Sequence, residues 1–352
     1  MSSNYITVYK PSIRRKDLEY VLNCMVQDKI DYGDFARNLE NRLKERVGIY
    51  DVLAVNSYFS AIELVLSALD ICEGDEVIIP SFAPQIYLNI ISLKKAIPVL
   101  VDLEKNHFKP SIDSIRESLS PKTKALILYH YFGYSFDPNP YFDLVGNVVE
   151  DISSVIGAKA NDQNVGTLSK YAIADFSPKG IITTGEGGAI FCNNKKNYHK
   201  IISLNERDYS IEDYYPRYTC LMPDLNAAMG VSQDESLNHR LKLREAIGKI
   251  YEEAVTKGRN STIKQIDGCD RFYSYFPLIV KSSLKDAISF FKKNGIEAIR
   301  PFQFPLHHYL NLPKEKFPNT EYFYLNTLLI PIHSSLTKKE VDLISKVLTV
   351  MI

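Results

Sequence analysis

Lys179 closes the segment Ala-Asp-Phe-Ser-Pro-Lys at residues 174–179, and Gly185, Glu186, Gly187 and Gly188 follow it. Upstream, the apolar run 147–151 ends on an acid, Asp151. Alone, such a lysine is an ordinary surface cation. Set between a strand-end acid and a glycine-rich turn, it reads as an amine held in a closed pocket, the arrangement that Schiff-base chemistry needs. An acid at the end of an apolar strand faces the crevice where open α/β sheets place ligands, although Asp is also a common helix cap. Ser57 and Ser60 lie between an apolar run and a helical pattern, where a helix N-terminus can cradle phosphate or a serine simply caps the helix. The glycines allow a tight turn into the run 189–192. His130 and His307 have no metal-ligand spacing around them and read as packing or hydrogen-bonded residues.

The elements that must position these residues follow from periodicity. Residues 12–27 form an amphipathic pattern with Ile13, Leu18, Val21, Leu22 and Met25 at helical spacing, and 34–47 a second one through Phe35, Leu39, Leu43 and Val47. Apolar runs at 52–56, 76–80, 97–102, 124–130, 147–151, 171–176 and 187–192 then read as strands, with helical patterns at 60–69, 84–94 and 112–119. Strands alternating with helices predict βαβ units and a mainly parallel sheet. Strands this apolar predict a sheet covered on both faces. The texture changes near residue 235: a long charged helix at 237–255, an apolar stretch at 272–281 and helices at 284–295 and 338–351 predict a smaller α+β unit. The expected division is 1–236 and 237–352.

Forty-two basic and 42 acidic residues among 352 give no net charge, so nothing points to nucleic acid or an anionic membrane. Five scattered cysteines without a CxxC pair argue against a disulfide framework or a zinc knuckle. With no apolar leader and no run long enough to span a bilayer, the chain is expected to be cytoplasmic.

Several segments, in order, resemble one family. Tyr32-Gly33 followed by Leu39-Glu40, ALDICEGDEVIIPSF (68–82), the segment 97–133 ending YHYFG, VVEDISSVIGA, FSPKGIITTGEGGAIF, MPDLNAAMGVSQ (222–233) and LLIPIHSSLTKKEV are similar to the corresponding runs of the DegT/DnrJ/EryC1/StrS aminotransferases. The resemblance is nearly end to end, and the lysine-to-glycine spacing is unchanged. It implies fold type I of the pyridoxal-phosphate (PLP) transferases: a large αβα domain with a mostly parallel seven-stranded sheet, and a small C-terminal α+β domain. It further implies PLP as cofactor and no metal, with a sugar nucleotide and an amino donor such as glutamate as substrates. Lys179 would carry the cofactor and move protons, and Asp151 would pair with the ring nitrogen. Ser154, Ser57, Tyr58, Phe59, Ser177 and Pro84 would surround the cofactor, and Tyr32 and His307 would meet substrate. A lysine at 179 argues against the family's 3-dehydratases, where histidine stands there. A homodimer is implied, with the residues 218–222 and the loop near Asp31 to Gly33 at the interface; the zero net charge and the tyrosine-rich segment 206–218 do not oppose one.

The pocket departs from the family pattern. The phosphate-cup Ser-Gly-Thr is Ser57-Tyr58-Phe59, and the serine five residues before the lysine is Ala174, with Ser177 or Thr167 as replacements. The stacking aromatic is Pro84, the glutamine after the acid is Ser154, the following histidine is Ile156, and the partner's asparagine and arginine are Thr219 and Leu221. Two readings therefore stand: a PLP-dependent aminotransferase, and a degenerate relative that binds a ligand or partner without transaminating. The departures predict weaker PLP binding than is usual in the family.

Overall fold

The computed structural model describes residues 5–205 and 216–351, so most of the tyrosine-rich segment 206–218 lies outside the described residues. The chain opens with two helices, α1 (Arg15–Val26) and α2 (Asp34–Val47), and enters the sheet at β1 (Asp51–Val55). It continues through α3 (Tyr58–Ala68), β2 (Glu76–Pro80), α4 (Gln85–Leu93), β3 (Ile97–Val101), α5 (Ile112–Ser118), β4 (Thr123–Tyr129), α6 (Asn139–Phe142) and β5 (Val148–Asp151). A two-residue-strand hairpin, β6 (Lys159–Ala160) and β7 (Gln163–Asn164), precedes β8 (Tyr171–Asp175) and β9 (Gly188–Cys192). The helices α7 (Lys195–Leu204), α8 (Asp224–Glu235) and α9 (Leu237–Lys257) lead to β10 (Phe276–Ile279), α10 (Leu284–Lys293), α11 (Leu306–Tyr309), α12 (Pro318–Asn326), β11 (Thr327–Ile330) and α13 (Lys338–Val350).

Seven strands form one sheet in the order β1-β9-β8-β5-β4-β2-β3. The pairs β2–β3, β2–β4, β4–β5 and β5–β8 are parallel, and β9 runs antiparallel to both its neighbours. The mainly parallel sheet expected from the alternating runs, and the seven strands that the resemblance implies, are thus the observed ones. Its two faces are covered by separate apolar clusters. One gathers Leu53, Ile79, Ile127 and Ile173 with Leu64 and Val65 of α3 and Ile90 of α4. The other gathers Ala54, Ala172 and Phe191 with Leu39 and Leu43 of α2 and Val231 of α8. Burial of each such aliphatic side chain contributes about 1.5–3 kcal/mol. A further cluster joins β10, β11, α10 and α13 with Tyr251 of α9 and Ile6 from the start of the chain.

The topology sends one set of strand ends to one edge. Tyr129, Asp151 and Asp175 are the last residues of the parallel strands β4, β5 and β8, with Tyr129 opposite Asp151 in register. Since β1 is antiparallel to β9 and β9 to β8, β1 shares their direction, and the N-terminus of α3 opens at the same edge. No helix among the described residues is long and apolar enough to cross a membrane.

Candidate active site

At that edge lies a cavity of about 490 Å³, lined among others by Tyr58, Phe59, Pro84, Ser154, Ser177 and Lys179. Six of the residues singled out in the sequence therefore meet in one place. The glycines after Lys179 make this possible. Gly187 has φ of +158°, and a Cβ there would meet the Thr184 hydroxyl at 2.4 Å; a Cβ on Gly188 would lie 3.0 Å from the Ser57 carbonyl oxygen. The entry of β9 thus packs directly on the start of α3. The Lys179 ammonium sits 5.1 Å from the ring centroid of Tyr9, and its carbonyl accepts a 2.8 Å hydrogen bond from the Tyr275 hydroxyl.

Asp151 is fully buried and does not line the cavity. Its Oδ1 accepts from the Ser153 backbone N–H at 2.9 Å and from the Ser153 hydroxyl at 2.5 Å. Its Oδ2 accepts from the hydroxyls of Tyr58 and Tyr87, whose oxygens lie 2.8 Å apart. Burial first, and the Asp151 charge next, push both phenols well above the ordinary tyrosine value, so both stay protonated and donate. Tyr129 is raised for the same reasons. Asp175 is raised chiefly by burial, despite the Ser177 hydroxyl and N–H that it accepts at 2.7 and 2.8 Å.

The remaining candidates are placed differently. Ser57 caps α3, its Oγ accepting from the Ser60 N–H at 3.0 Å, and does not line the cavity. Ser154 lines it, but its hydroxyl donates to the His130 carbonyl at 2.6 Å and accepts from the Gly133 N–H at 3.0 Å, which ties it to the 130–133 turn. Tyr32 bonds Glu40 at 3.1 Å beside α2, outside the cavity. His307 is buried under Phe317, shares a 2.7 Å hydrogen bond with Ser81, and also stands outside it. Contrary to the expectation of no ligand spacing, His307, His308 and Glu321 offer three potential metal-ligating atoms within 4.8 Å of one another. Both imidazoles already hydrogen-bond the same Glu321 oxygen, which accounts for the cluster without an ion.

Residues 11–349 match the family model of the DegT/DnrJ/EryC1/StrS aminotransferases. The chain belongs to the DegT/DnrJ/EryC1/StrS aminotransferase family. It is 27% identical over 316 residues to a GDP-perosamine synthase of Escherichia coli O157:H7, covering 86% of each chain. It is 28% identical over 355 residues to the GDP-perosamine synthase of Caulobacter vibrioides, covering 96% of this chain and 95% of the other. Among solved structures, a putative sugar aminotransferase from Streptococcus pneumoniae in its PLP form superposes with a TM-score of 0.91, at 22% identity over 98% of both chains. That likeness establishes the PLP-transferase fold.

DegT-family aminotransferases are enzymes that use PLP, and the donor set of this chain fits the group. Lys179 would supply the amine from the cavity lining, Asp151 a buried carboxylate that the lining residues Tyr58 and Ser153 hydrogen-bond, and α3 its first-turn N–H groups for an anion. Sequence reasoning missed Tyr87, Ser153, Asp175, Tyr129 and Tyr275. One signal was available for Tyr87: a phenol on the apolar face of QIYLNIISL needs a partner for its hydroxyl.

Proposed function

We propose that this chain transfers an amino group from an amino-acid donor such as glutamate to the ketone of a sugar nucleotide, working as a homodimer with PLP. The observation that carries this reading is Lys179 in the lining of a cavity that also includes Tyr58 and Ser153, both hydrogen-bonded to Asp151. The names of the two GDP-perosamine synthases support a nucleotide-linked keto-sugar as acceptor. Nothing favours the reading as a relative without transaminase activity over this one.

When bound, PLP supplies a carbonyl for the lysine amine and an electron sink for the bond broken at the donor's α-carbon. Lys179 then moves a proton at that carbon and, in the second half, at the sugar carbon that gains nitrogen. Asp151 would hold the ring nitrogen in its protonated form once one of the donors now on its carboxylate gives way. Tyr129, Tyr275 and Ile86 wall the cavity and keep water from the reacting carbons. The donor leaves as a 2-oxo acid and the ketone becomes an amine, so nitrogen and electrons balance between the two halves.

The test has two parts. Borohydride reduction of the PLP-treated protein, followed by peptide mass mapping, places a pyridoxyl group on Lys179. Incubation with glutamate and a GDP-linked 4-keto sugar releases 2-oxoglutarate in step with amino sugar. Labelling of a different lysine, or oxo-acid release without an aminated sugar, contradicts the proposal.

A further inference from the structure

Asp151 has no acceptor position to spare. An ionised carboxylate offers about four lone-pair sites, and four donors already meet it: the N–H and hydroxyl of Ser153 on Oδ1, and the hydroxyls of Tyr58 and Tyr87 on Oδ2. Any further donor that approaches, a pyridinium N–H included, has to replace one of them.

The four are not equally replaceable. The Ser153 N–H is backbone, and the Ser153 hydroxyl is fixed from its other side by the Asp175 N–H at 2.8 Å. Tyr87 is fully buried within α4 and does not reach the cavity. Tyr58 lines the cavity and places its hydroxyl on Asp151 from that side. It is the first residue of α3, 8% exposed, and its ring packs edge-on to Tyr87 with centroids 6.4 Å apart, so giving up the bond to Asp151 also means moving a packed ring.

We propose that Tyr58 sets this chain's affinity for its cofactor, because its hydroxyl is a side-chain donor on Asp151 that belongs to the cavity lining, while the other donor of the lining, Ser153, is also held by the Asp175 N–H. The proposal rests on the PLP-dependent reading above. Cofactor binding then exchanges one hydrogen bond to Asp151 for another instead of adding one, and the gain from the acid is largely cancelled. The chain is expected to take up PLP reversibly and to lose it on dialysis, with Tyr58 returning to Asp151.

The experiment titrates the purified full-length protein with PLP, following the absorbance of the covalent adduct, for wild type and three variants. Hydrogen bonds to a charged group differ enough that Tyr58→Gly should tighten PLP binding by about ten- to a hundredfold and retain PLP through dialysis. Tyr58→Phe keeps the ring and removes only the hydroxyl, and should tighten binding by about tenfold. Tyr87→Phe frees a position that does not face the cavity, and should change affinity by less than about threefold. If circular dichroism shows Tyr58→Gly to be unfolded, Tyr58→Phe decides. Affinities equal to wild type in the folded Tyr58 variants, with Lys179 labelled in all, overturn the role of Tyr58 and leave the aminotransferase reading standing. Absence of labelling at Lys179 in every protein at saturating PLP overturns both.

Discussion

Glu40 shows how a single buried group sets a pH response. It is 6% exposed, accepts the Ala54 N–H at 2.9 Å, and receives the Tyr32 hydroxyl at 3.1 Å. Burial outweighs those bonds and pushes its carboxyl up to about 7. A group whose folded value is raised binds more protons folded than unfolded between about 4.5 and 7, so its contribution is present below that window and is lost as pH rises through about 7. Glu40→Gln mimics the protonated form. In denaturant unfolding its stability should match wild type at pH 4 and exceed it at pH 8, by an amount on the order of 2 kcal/mol; equal stability at pH 8 contradicts the assignment. Of the active site, Lys179 and Asp151 were legible because their signals are local: a strand that ends on an acid, and a lysine at fixed distance from a glycine turn. The hydroxyls that saturate Asp151 come from α3 and α4, and no spacing along the chain announces a bond between separate elements. The same holds for Ser154, whose neighbours in sequence do not reveal that the 130–133 turn takes its hydroxyl.

Helix α9 shows where a propensity rule yields to packing. Gly248 lies in its interior, where alanine ordinarily gains about 1 kcal/mol. Here an added Cβ would fall 2.2 Å from the ring of buried Tyr273. Gly248→Ala should therefore destabilise the chain by about 1–3 kcal/mol in denaturant unfolding, the usual range for overpacking; a stabilised variant would show that the ring moves freely. Elements with a clean period were read from the sequence nearly to their ends: α2, β2 and α5 are cases. Helix α8 was not, because it is buried on most of its surface and shows no single apolar stripe. Of the apolar stretch 272–281, the part that pairs as a strand is β10, against the four residues of β11. Helix α1 was found, but its apolar stripe does not face the core. It docks on α8 through Asp17, which accepts from Arg14, Ser232 and Gln233. Burial opposes the charge of Asp17, and those bonds more than offset it, leaving the carboxyl below its usual value.

The outward stripe of α1 belongs to the molecule as a whole. Leu18, Leu22, Met25 and Val26 are between 56% and 75% exposed, on a helix whose opposite side carries buried Asp17 and Cys24. The same side carries the exposed Arg15–Glu19 ion pair, and a chain of zero net charge brings no overall repulsion to keep such a face apart from a like surface. A second copy related by a two-fold axis is the simplest cover, because an isologous contact lays one face on the same face and closes. The proposed homodimer, for which the resemblance implies contacts at 218–222 and near Asp31 to Gly33, would on this argument also cover α1, and that is tested by charge. Leu18→Glu with Leu22→Glu leaves the fold nearly untouched, since exposed positions contribute within about 0.5 kcal/mol. In a dimer it buries carboxylates against apolar surface. Light scattering at micromolar concentration should give twice the chain mass for wild type and 40.1 kDa for the double variant, with unchanged circular dichroism. A wild type of 40.1 kDa overturns the dimer, whereas a double variant that remains dimeric places the interface on another face and leaves α1 without its cover.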